Sequence, residues 1–329
     1  MIYKDRSGSQ PLSGGPTALF TSVGRRVQLV RHFAEAGWRV IGADLNPADC
    51  AAQVICSKVH AVPPCSAGQR YYDRLLEICR LEQIDYLIPL YEPELIGLAG
   101  RQRDFQDSGT TVIVSQASSL ELCLNKFRLF QFLRSHEFDT PDTYLEPDKI
   151  DHTERKGSRW VVKPVTGMGS KNIHIVSPDE LCAAYGQVKS PLIQRFVHGQ
   201  EYSIDAYVDQ AGNVRSVVPR KRLVVRSGEV SKSITVEDEA VTRETVRLLA
   251  ALQLYGPVTV QGIKESDTGR FYFIEVNPRF GGGVPLSMRA GIPYAEWIAD
   301  RNCDWNGTLQ PYQTGLKMLR YDEALFVED

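Results

Sequence analysis

The stretch Phe273-Ile274-Glu275-Val276-Asn277-Pro278-Arg279 decides the reading of this chain. Its apolar residues and its flanks suit a strand. Side chains two apart on a strand share a face, so Glu275 and Asn277 point the same way. A carboxylate beside an amide oxygen suits magnesium, a hard cation that prefers oxygen ligands and often binds alongside phosphates. Gln261 lies on the preceding apolar run, Val258 to Ile263, across the turn Ser266-Asp267-Thr268-Gly269. It is positioned to face the same space. Alone, a Glu-x-Asn pair on a strand reads as a solvated face. Here Pro278-Arg279 and the glycines at 281–283 follow directly, which favours a site.

Upstream, Trp160-Val161-Val162-Lys163 forms a second apolar strand that runs into Pro164-Val165-Thr166-Gly167-Met168-Gly169-Ser170. Two glycines and a serine let backbone N–H groups approach phosphate oxygens, and Lys163 adds positive charge. The lysine precedes the glycines, so this is not the Gly-x4-Gly-Lys-Ser/Thr phosphate loop. A hairpin with an exposed lysine is the competing reading. Ile173 to Val176 is the expected hairpin partner. Further strands are expected at 192–196, 201–208, 214–218 and 222–226, with a helix from about 238 to 253.

The first part of the chain has a different pattern. Short apolar runs at 18–21, 40–43, near 59–62, 86–89 and 111–114 alternate with helical stretches at 25–36, 69–82 and 94–107. That alternation implies a parallel sheet covered by helices, and ligands of such sheets gather at the carboxyl ends of the strands. Ser22 to Arg26, Asp44 and Tyr91 to Glu94 fall on that rim. The first turn, Thr21-Ser22-Val23-Gly24-Arg25-Arg26, lacks the Gly-x-Gly-x-x-Gly spacing needed against a pyrophosphate. This speaks against a nicotinamide-dependent oxidoreductase. A helix around Leu120 to His136 links the two patterns.

The formal net charge of −2 argues against wholesale binding to nucleic acid or an anionic membrane. No apolar run approaches the roughly 18 residues of a spanning helix. The seven cysteines form no Cys-x-x-Cys pair and read as reduced thiols of a cytoplasmic protein. The six histidines show no metal-ligand spacing.

Taken together and in this order, the lysine–glycine turn and the Glu-Val-Asn-Pro-Arg strand resemble the ATP-grasp superfamily. The look is nearest to its carbamoyl-phosphate-synthase-like branch, in which Val-Gln, here Val260-Gln261, recurs. The resemblance implies a fold of α/β and α+β class: a Rossmann-like N-terminal parallel sheet followed by a two-lobed ATP-grasp domain. The boundaries expected are a flexible leader at 1–16, the Rossmann-like domain at 17–118, a small lobe at 119–195 and a large lobe with the metal site at 196–329. It further implies that ATP is held by Lys126, Lys163, Gly167, Gly169 and Ser170. The adenine hinge falls on Gln194, Arg195, Phe196 and Val197, with backbone groups near Phe196 and Val197 reading the base. Glu201 takes the ribose hydroxyls. Mg²⁺ or Mn²⁺ falls to Glu275, Asn277 and Gln261. Arg279, Arg222 and Lys221 are the expected catalytic cations. Arg222 and Lys221 flank a flexible loop, Ser227 to Lys232, that closes on the transferring phosphoryl group. Arg25, Glu92, Glu94 and Gly282 are expected at the acceptor substrate.

The activity implied is ATP-dependent, ADP-producing ligation of a small-molecule carboxylate to an amine through an acyl phosphate, on amino-acid-like substrates in biosynthesis. A homodimer is common among such proteins. Carbamoyl-phosphate-type phosphoryl transfer and a non-catalytic ATP-binding module are the alternatives. The neutral Gln261, where many such ligases carry an acid, implies a second magnesium held less tightly.

Overall fold

The computed structural model describes residues 14–151, 153, 158–169, 172–226, 228–299 and 305–326. The chain divides into two compact units, Met1–Val114 with Pro293–Cys303 and Leu325–Asp329, and Ser115–Ile292 with Asp304–Ala324. The expected leader falls mostly outside the described residues, as do Ser170, Ser227 and Cys303.

The first unit is built on β1 (Thr17–Thr21), β2 (Arg39–Asp44), β3 (Lys58–Ala61), β4 (Tyr86–Ile88) and β5 (Thr111–Val112). They form one sheet in the order β3-β2-β1-β4-β5, and every pairing is parallel. Parallel neighbours need crossovers, which α1 (Val27–Glu35) and α2 (Gln69–Glu82) supply. The helix expected at 94–107 is interrupted: α3 spans Leu95–Gly100 and α4 spans Gln102–Gln106, with Arg101 between them out of helical geometry.

Glu94 does not stand on the rim as a substrate contact. It is fully buried. Its carboxylate accepts hydrogen bonds from Thr21 Oγ1 at 2.5 Å, from the Tyr91 amide at 3.0 Å and from the Tyr71 hydroxyl. Thr21 Oγ1 in turn accepts from the Leu90 amide at 3.2 Å. The network fastens the end of β1, the segment after β4 and helix α2 at one point. Glu92 is buried too, and Arg25 is exposed.

The second unit opens with α5 (Ala117–Cys123) and α6 (Lys126–Ser135), two helices where one was expected. Asn125 separates them and caps α6, accepting from the amides of Phe127 and Arg128 at 3.1 and 3.0 Å. A four-stranded antiparallel sheet follows: β6 (Thr143–Tyr144), β7 (Trp160–Pro164), β8 (His174–Val176) and β9 (Pro191–Arg195), in the order β6-β9-β7-β8. Trp160, Val162 and Ile193 pack there with helix α7 (Leu181–Gln187).

The large sheet has six antiparallel strands: β10 (Gly199–Val208), β11 (Val214–Arg226), β12 (Glu229–Thr235), β13 (Gly256–Glu265), β14 (Phe271–Asn277) and β15 (Lys317–Leu319). Their order is β14-β13-β10-β11-β12-β15. One face carries Tyr202, Ile204, Val217, Val260, Phe273 and Val276 against α5, α6 and α8 (Glu239–Leu252). The other face carries Ser203, Asp205, Arg220, Arg222, Thr259, Gln261, Glu275 and Asn277.

Two expectations fail here. The strands expected at 214–218 and 222–226 are one strand, β11, with Pro219 inside it. The Pro219 carbonyl accepts from Val236 N at 3.0 Å, just past the end of β12. Its nitrogen faces the same way, so the missing N–H forfeits only a rung where that ladder already ends. The loop expected from Ser227 to Lys232 is largely strand β12, paired with β11 from Glu229 onward. Ser227 itself lies outside the described residues.

Burial pushes the Glu94 carboxyl up to about 7, against the opposing pull of its hydrogen bonds to Thr21, Tyr71 and Tyr91. The folded protein therefore binds a proton there, between about pH 4.5 and 7, that the unfolded chain releases. This contribution favours folding at the acid end. It should fall by on the order of 3 kcal/mol as pH rises through 7. Urea unfolding from pH 5 to 8 should show that loss in the wild type and its absence in Glu94→Gln; parallel pH curves for the two proteins would refute it.

Candidate active site

The polar face of the large sheet owes its composition to one irregularity. Gln261 pairs with Glu275, but Gly262 pairs with Phe273, so Ile274 is an extra residue in β14. Without this bulge, strict alternation would put Phe273 and Glu275 on the same face. With it, Phe273 joins the helix-covered core while Glu275 and Asn277 share the opposite face with Gln261. Gly262 is needed opposite the bulge, because a Cβ there would stand 2.3 Å from the Phe271 ring. Asn277 Nδ2 donates to the Thr259 carbonyl at 3.4 Å, which orients the amide so that its oxygen is the end turned from β13.

The small sheet brings Lys163 to the same place. Lys163 is buried, and its ammonium donates to Gln194 Oε1 at 2.8 Å. Gln194 Nε2 donates to Thr143 Oγ1 at 2.9 Å, so the amide is held from both ends. Burial pulls the ammonium down from the ordinary lysine range to about 8. Lys126 pushes the same way, and the Glu275 carboxylate opposes both. One lysine of β7 thus feels residues from three other elements, β9, α6 and β14.

The glycine turn completes this corner. Gly167 and Gly169 have φ of +120° and +75°, and no atom lies within 4 Å of where either Cβ would be. Their backbone conformation demands glycine, and the space beside them is open. Lys126 binds the turn twice: its amide donates to the Val165 carbonyl at 3.0 Å and its ammonium to the Gly167 carbonyl at 2.7 Å. The N-terminal end of the ten-residue α6 therefore sits against the turn, its first amides already donated to Val165 and Asn125.

At the expected hinge, Gln194 turns inward to Lys163. Arg195 pairs with Glu265 at 3.8 Å and lies over the Tyr272 ring at 5.4 Å. The Phe196 amide is already donated to the Arg159 carbonyl at 2.9 Å, so it is not offered to a base. The Val197 amide makes no hydrogen bond among the described residues. Glu201 is half-exposed on β10, with Arg222 Nε 3.5 Å from its carboxylate. Arg222 also donates to Gln261 Oε1 at 3.3 Å and to the Gly228 carbonyl at 3.3 Å.

Lys221 does not join them. It pairs with Tyr202 and Ile234 in an unbroken register, so it faces the side opposite Arg220 and Arg222. Arg279 is buried directly after β14, its NH1 donating to the Phe280 carbonyl at 3.0 Å. The Gly282 carbonyl accepts from Arg320, which also pairs with Glu229 at 3.1 Å.

Beside Glu275, Asn277 and Gln261 on this face lies a buried cluster that the sequence alone did not reveal. Arg220 donates Nε and NH2 to the two Asp205 oxygens at 2.7 and 2.8 Å. Thr259 Oγ1 and Ser287 Oγ donate to the same carboxylate at 3.1 and 2.6 Å. Both charged partners are 1% exposed. Alternating polar residues at 203 and 205 within an otherwise apolar run were the available signal.

No group of three or more His, Cys, Asp or Glu side chains suited to a metal occurs among the described residues. The oxygen donors present are one carboxylate, Glu275, and the side-chain amides of Asn277 and Gln261. That sparse set fits Mg²⁺, which keeps several waters and completes its shell with phosphate oxygens. It does not suit a tight all-protein cage.

Residues 123–283 match the ATP-grasp domain family, and residues 18–113 match the PylC-like N-terminal domain. The chain carries an ATP-grasp domain preceded by a PylC-like N-terminal domain. ATP-grasp enzymes use ATP and Mg²⁺. Acetyl-CoA carboxylase 2 of Arabidopsis thaliana is 28% identical over 174 residues, 48% of this chain but only 7% of that protein. The chain therefore spans a small part of the length of such relatives. Among solved structures, the L-amino acid ligase of Bacillus licheniformis superposes with a TM-score of 0.66 at 18% identity, covering 87% of this chain and 73% of that one. The biotin carboxylase domain of Hydrogenobacter thermophilus 2-oxoglutarate carboxylase, solved with MgADP, ADP and bicarbonate, gives 0.68 at 16% identity, covering 91% and 73%. These likenesses establish the ATP-grasp fold. No helix among the described residues is long and apolar enough to cross a membrane.

Removing one partner of a buried ion pair leaves the other charge uncompensated, at about 3–5 kcal/mol. Asp205→Ala should therefore lower stability by about that amount in urea titration. Adding Arg220→Met should recover a good part of the loss. A cost below about 1 kcal/mol for the single variant would show the pair to be an ordinary surface-like contact.

Proposed function

We infer that the protein is an ATP-dependent ligase that joins a small-molecule carboxylate to an amine and produces ADP. The observation that carries this reading is the convergence of Lys163, Lys126 and Glu275 beside the open glycine turn. A buried ammonium held below its ordinary range is costly unless an anion arrives to pair with it. A triphosphate supplies that charge, and Lys163 and Lys126 are placed to receive it. The backbone at Gly167 and Gly169 approaches phosphate oxygens without side-chain obstruction. The Val197 amide reads the base edge, and Glu201 takes the ribose hydroxyls.

Glu275 and Asn277 would hold Mg²⁺, and Gln261, whose oxygen accepts from Arg222, would support them. The metal, when bound, neutralises phosphate oxygens. Arg222 and Arg279 stabilise charge on the transferring phosphoryl group. A substrate carboxylate oxygen attacks the γ-phosphorus, and the bond to ADP breaks. The amine nitrogen then attacks the acyl carbon, inorganic phosphate leaves, and the amine gives up a proton. Positioning and charge neutralisation carry such chemistry without a protein nucleophile. The free cysteines at 50, 56, 65, 79, 123 and 182 suit work in the reducing cytoplasm.

The test is a screen of pooled small carboxylates with Mg-ATP and hydroxylamine, which traps an acyl phosphate as a hydroxamate. ADP and hydroxamate should appear together. Glu275→Gln and Lys163→Met should each lower kcat/KM roughly 10²–10³-fold, with far-ultraviolet circular dichroism unchanged. ATP binding without ADP formation across the screen would make the protein a non-catalytic nucleotide-binding module. Near-normal turnover by Glu275→Gln would remove the metal assignment.

A further inference from the structure

The first unit contains a cavity of about 580 Å³ at the carboxyl edge of its parallel sheet. Ser22, Asp44, Cys65, Tyr71, Tyr72 and Tyr91 line it together with prolines and aliphatic side chains. Its volume falls within the range of small-molecule sites. Asp44 is the single formally charged residue in its wall, and no lysine, arginine or histidine lines it. Asp44 has no ion-pair partner among the described residues; it accepts only from the Gly24 amide at 2.9 Å and the Asn46 amide at 3.3 Å.

The chemistry of this wall selects by charge. Behind Tyr71 stands Glu94, whose contacts are hydroxyls and an amide and include no cation. Asp44 therefore faces the cavity and Glu94 backs it, and among the described residues no basic side chain lines it; Arg101 acts on Tyr72 only from behind the wall, where it is paired with Asp73 and Asp104. Tyrosine rings present electron-rich faces to cations. The prolines and the aliphatic side chains suit an apolar stem. An anion is disfavoured at each of these points. The seat a phosphate could use is also filled: the amides of Val23, Gly24 and Arg26 are donated within the protein, to Ala43, Asp44 and Val23.

We propose that this cavity is a binding site for a small organic ammonium, a primary amine on a short apolar chain, with Asp44 as its counter-ion and Tyr71, Tyr72 and Tyr91 as its aromatic wall. The site is a property of the first unit, so it holds whether or not the chain is a ligase.

Isothermal titration of the nucleotide-free, full-length protein with n-pentylammonium, n-pentanol and pentanoate tests it. Pentylammonium should bind, and the two isosteres should bind at least roughly tenfold more weakly, a difference of about 1.4 kcal/mol. Asp44→Asn keeps an acceptor for the Gly24 amide and removes the charge; it should weaken pentylammonium binding by a similar factor. Ser66→Trp places a bulky ring at the exposed cavity rim and should abolish binding, and it decides the matter should Asp44→Asn unfold. Failure of pentylammonium to bind the wild type, equal binding of pentanoate, or unchanged affinity in Ser66→Trp would overturn the proposal.

Discussion

The single extra residue at Ile274 governs the large sheet. A sheet covered by helices on one side must send its apolar residues there and its polar ones to the other. The run Phe271 to Asn277 contains both kinds in an order that strict alternation cannot sort. The bulge changes the parity midway, so Phe271 and Phe273 enter the core while Glu275 and Asn277 emerge opposite Gln261 and Thr259. The core and the oxygen-donor set are thus two results of one backbone irregularity. Bulges recur next to functional sites because they re-aim side chains without breaking the ladder.

The charged residues of that face then divide by depth. Asp205 and Arg220 are sealed, with two charge-assisted bonds between them and hydroxyls from Thr259, Ser287 and Ser233 around them. Their packing is so close that a Cβ on Gly283 would stand 2.5 Å from Arg220 NH1. This pins the chain that follows Asn277 and Arg279. Lys163 is buried too, yet among the described residues its one hydrogen-bond partner is a neutral amide. A sealed pair specifies structure, whereas a buried cation held by a neutral group retains capacity for an anion.

How much was legible in the sequence follows from the same distinction. Periodicity exposed the parallel sheet, the helices α1 and α2 and the strand β14, because those patterns record burial. The order of Lys163, the glycines and Glu275 recorded the ATP-grasp domain. What stayed hidden depended on three-dimensional accounting. Lys221 and Arg222 look alike in sequence, and only the register with Tyr202 and Ile234 assigns them to opposite faces. Arg195 and Phe196 look like a hinge, yet one is committed to Glu265 and the other donates its amide to Arg159. Glu94 reads as a rim charge because its enclosure by Thr21 and Tyr71 comes from distant segments. Pro219 reads as a break because the end of β12 beside it is invisible in one dimension.

The two units also treat anions oppositely. In the first, the turn after β1 has the position of a phosphate-binding loop, but its Val23, Gly24 and Arg26 amides are consumed internally and Asp44 supplies the negative charge at Gly24. In the second, the turn after β7 keeps open backbone at Gly167 and Gly169, with Lys126 and Lys163 beside it. A helix start or a glycine turn attracts an anion only if its N–H groups are unspent. By that criterion the turn after β1 keeps no seat for a phosphate at Val23, Gly24 or Arg26, whereas the open turn after β7 has the charge of two lysines beside it.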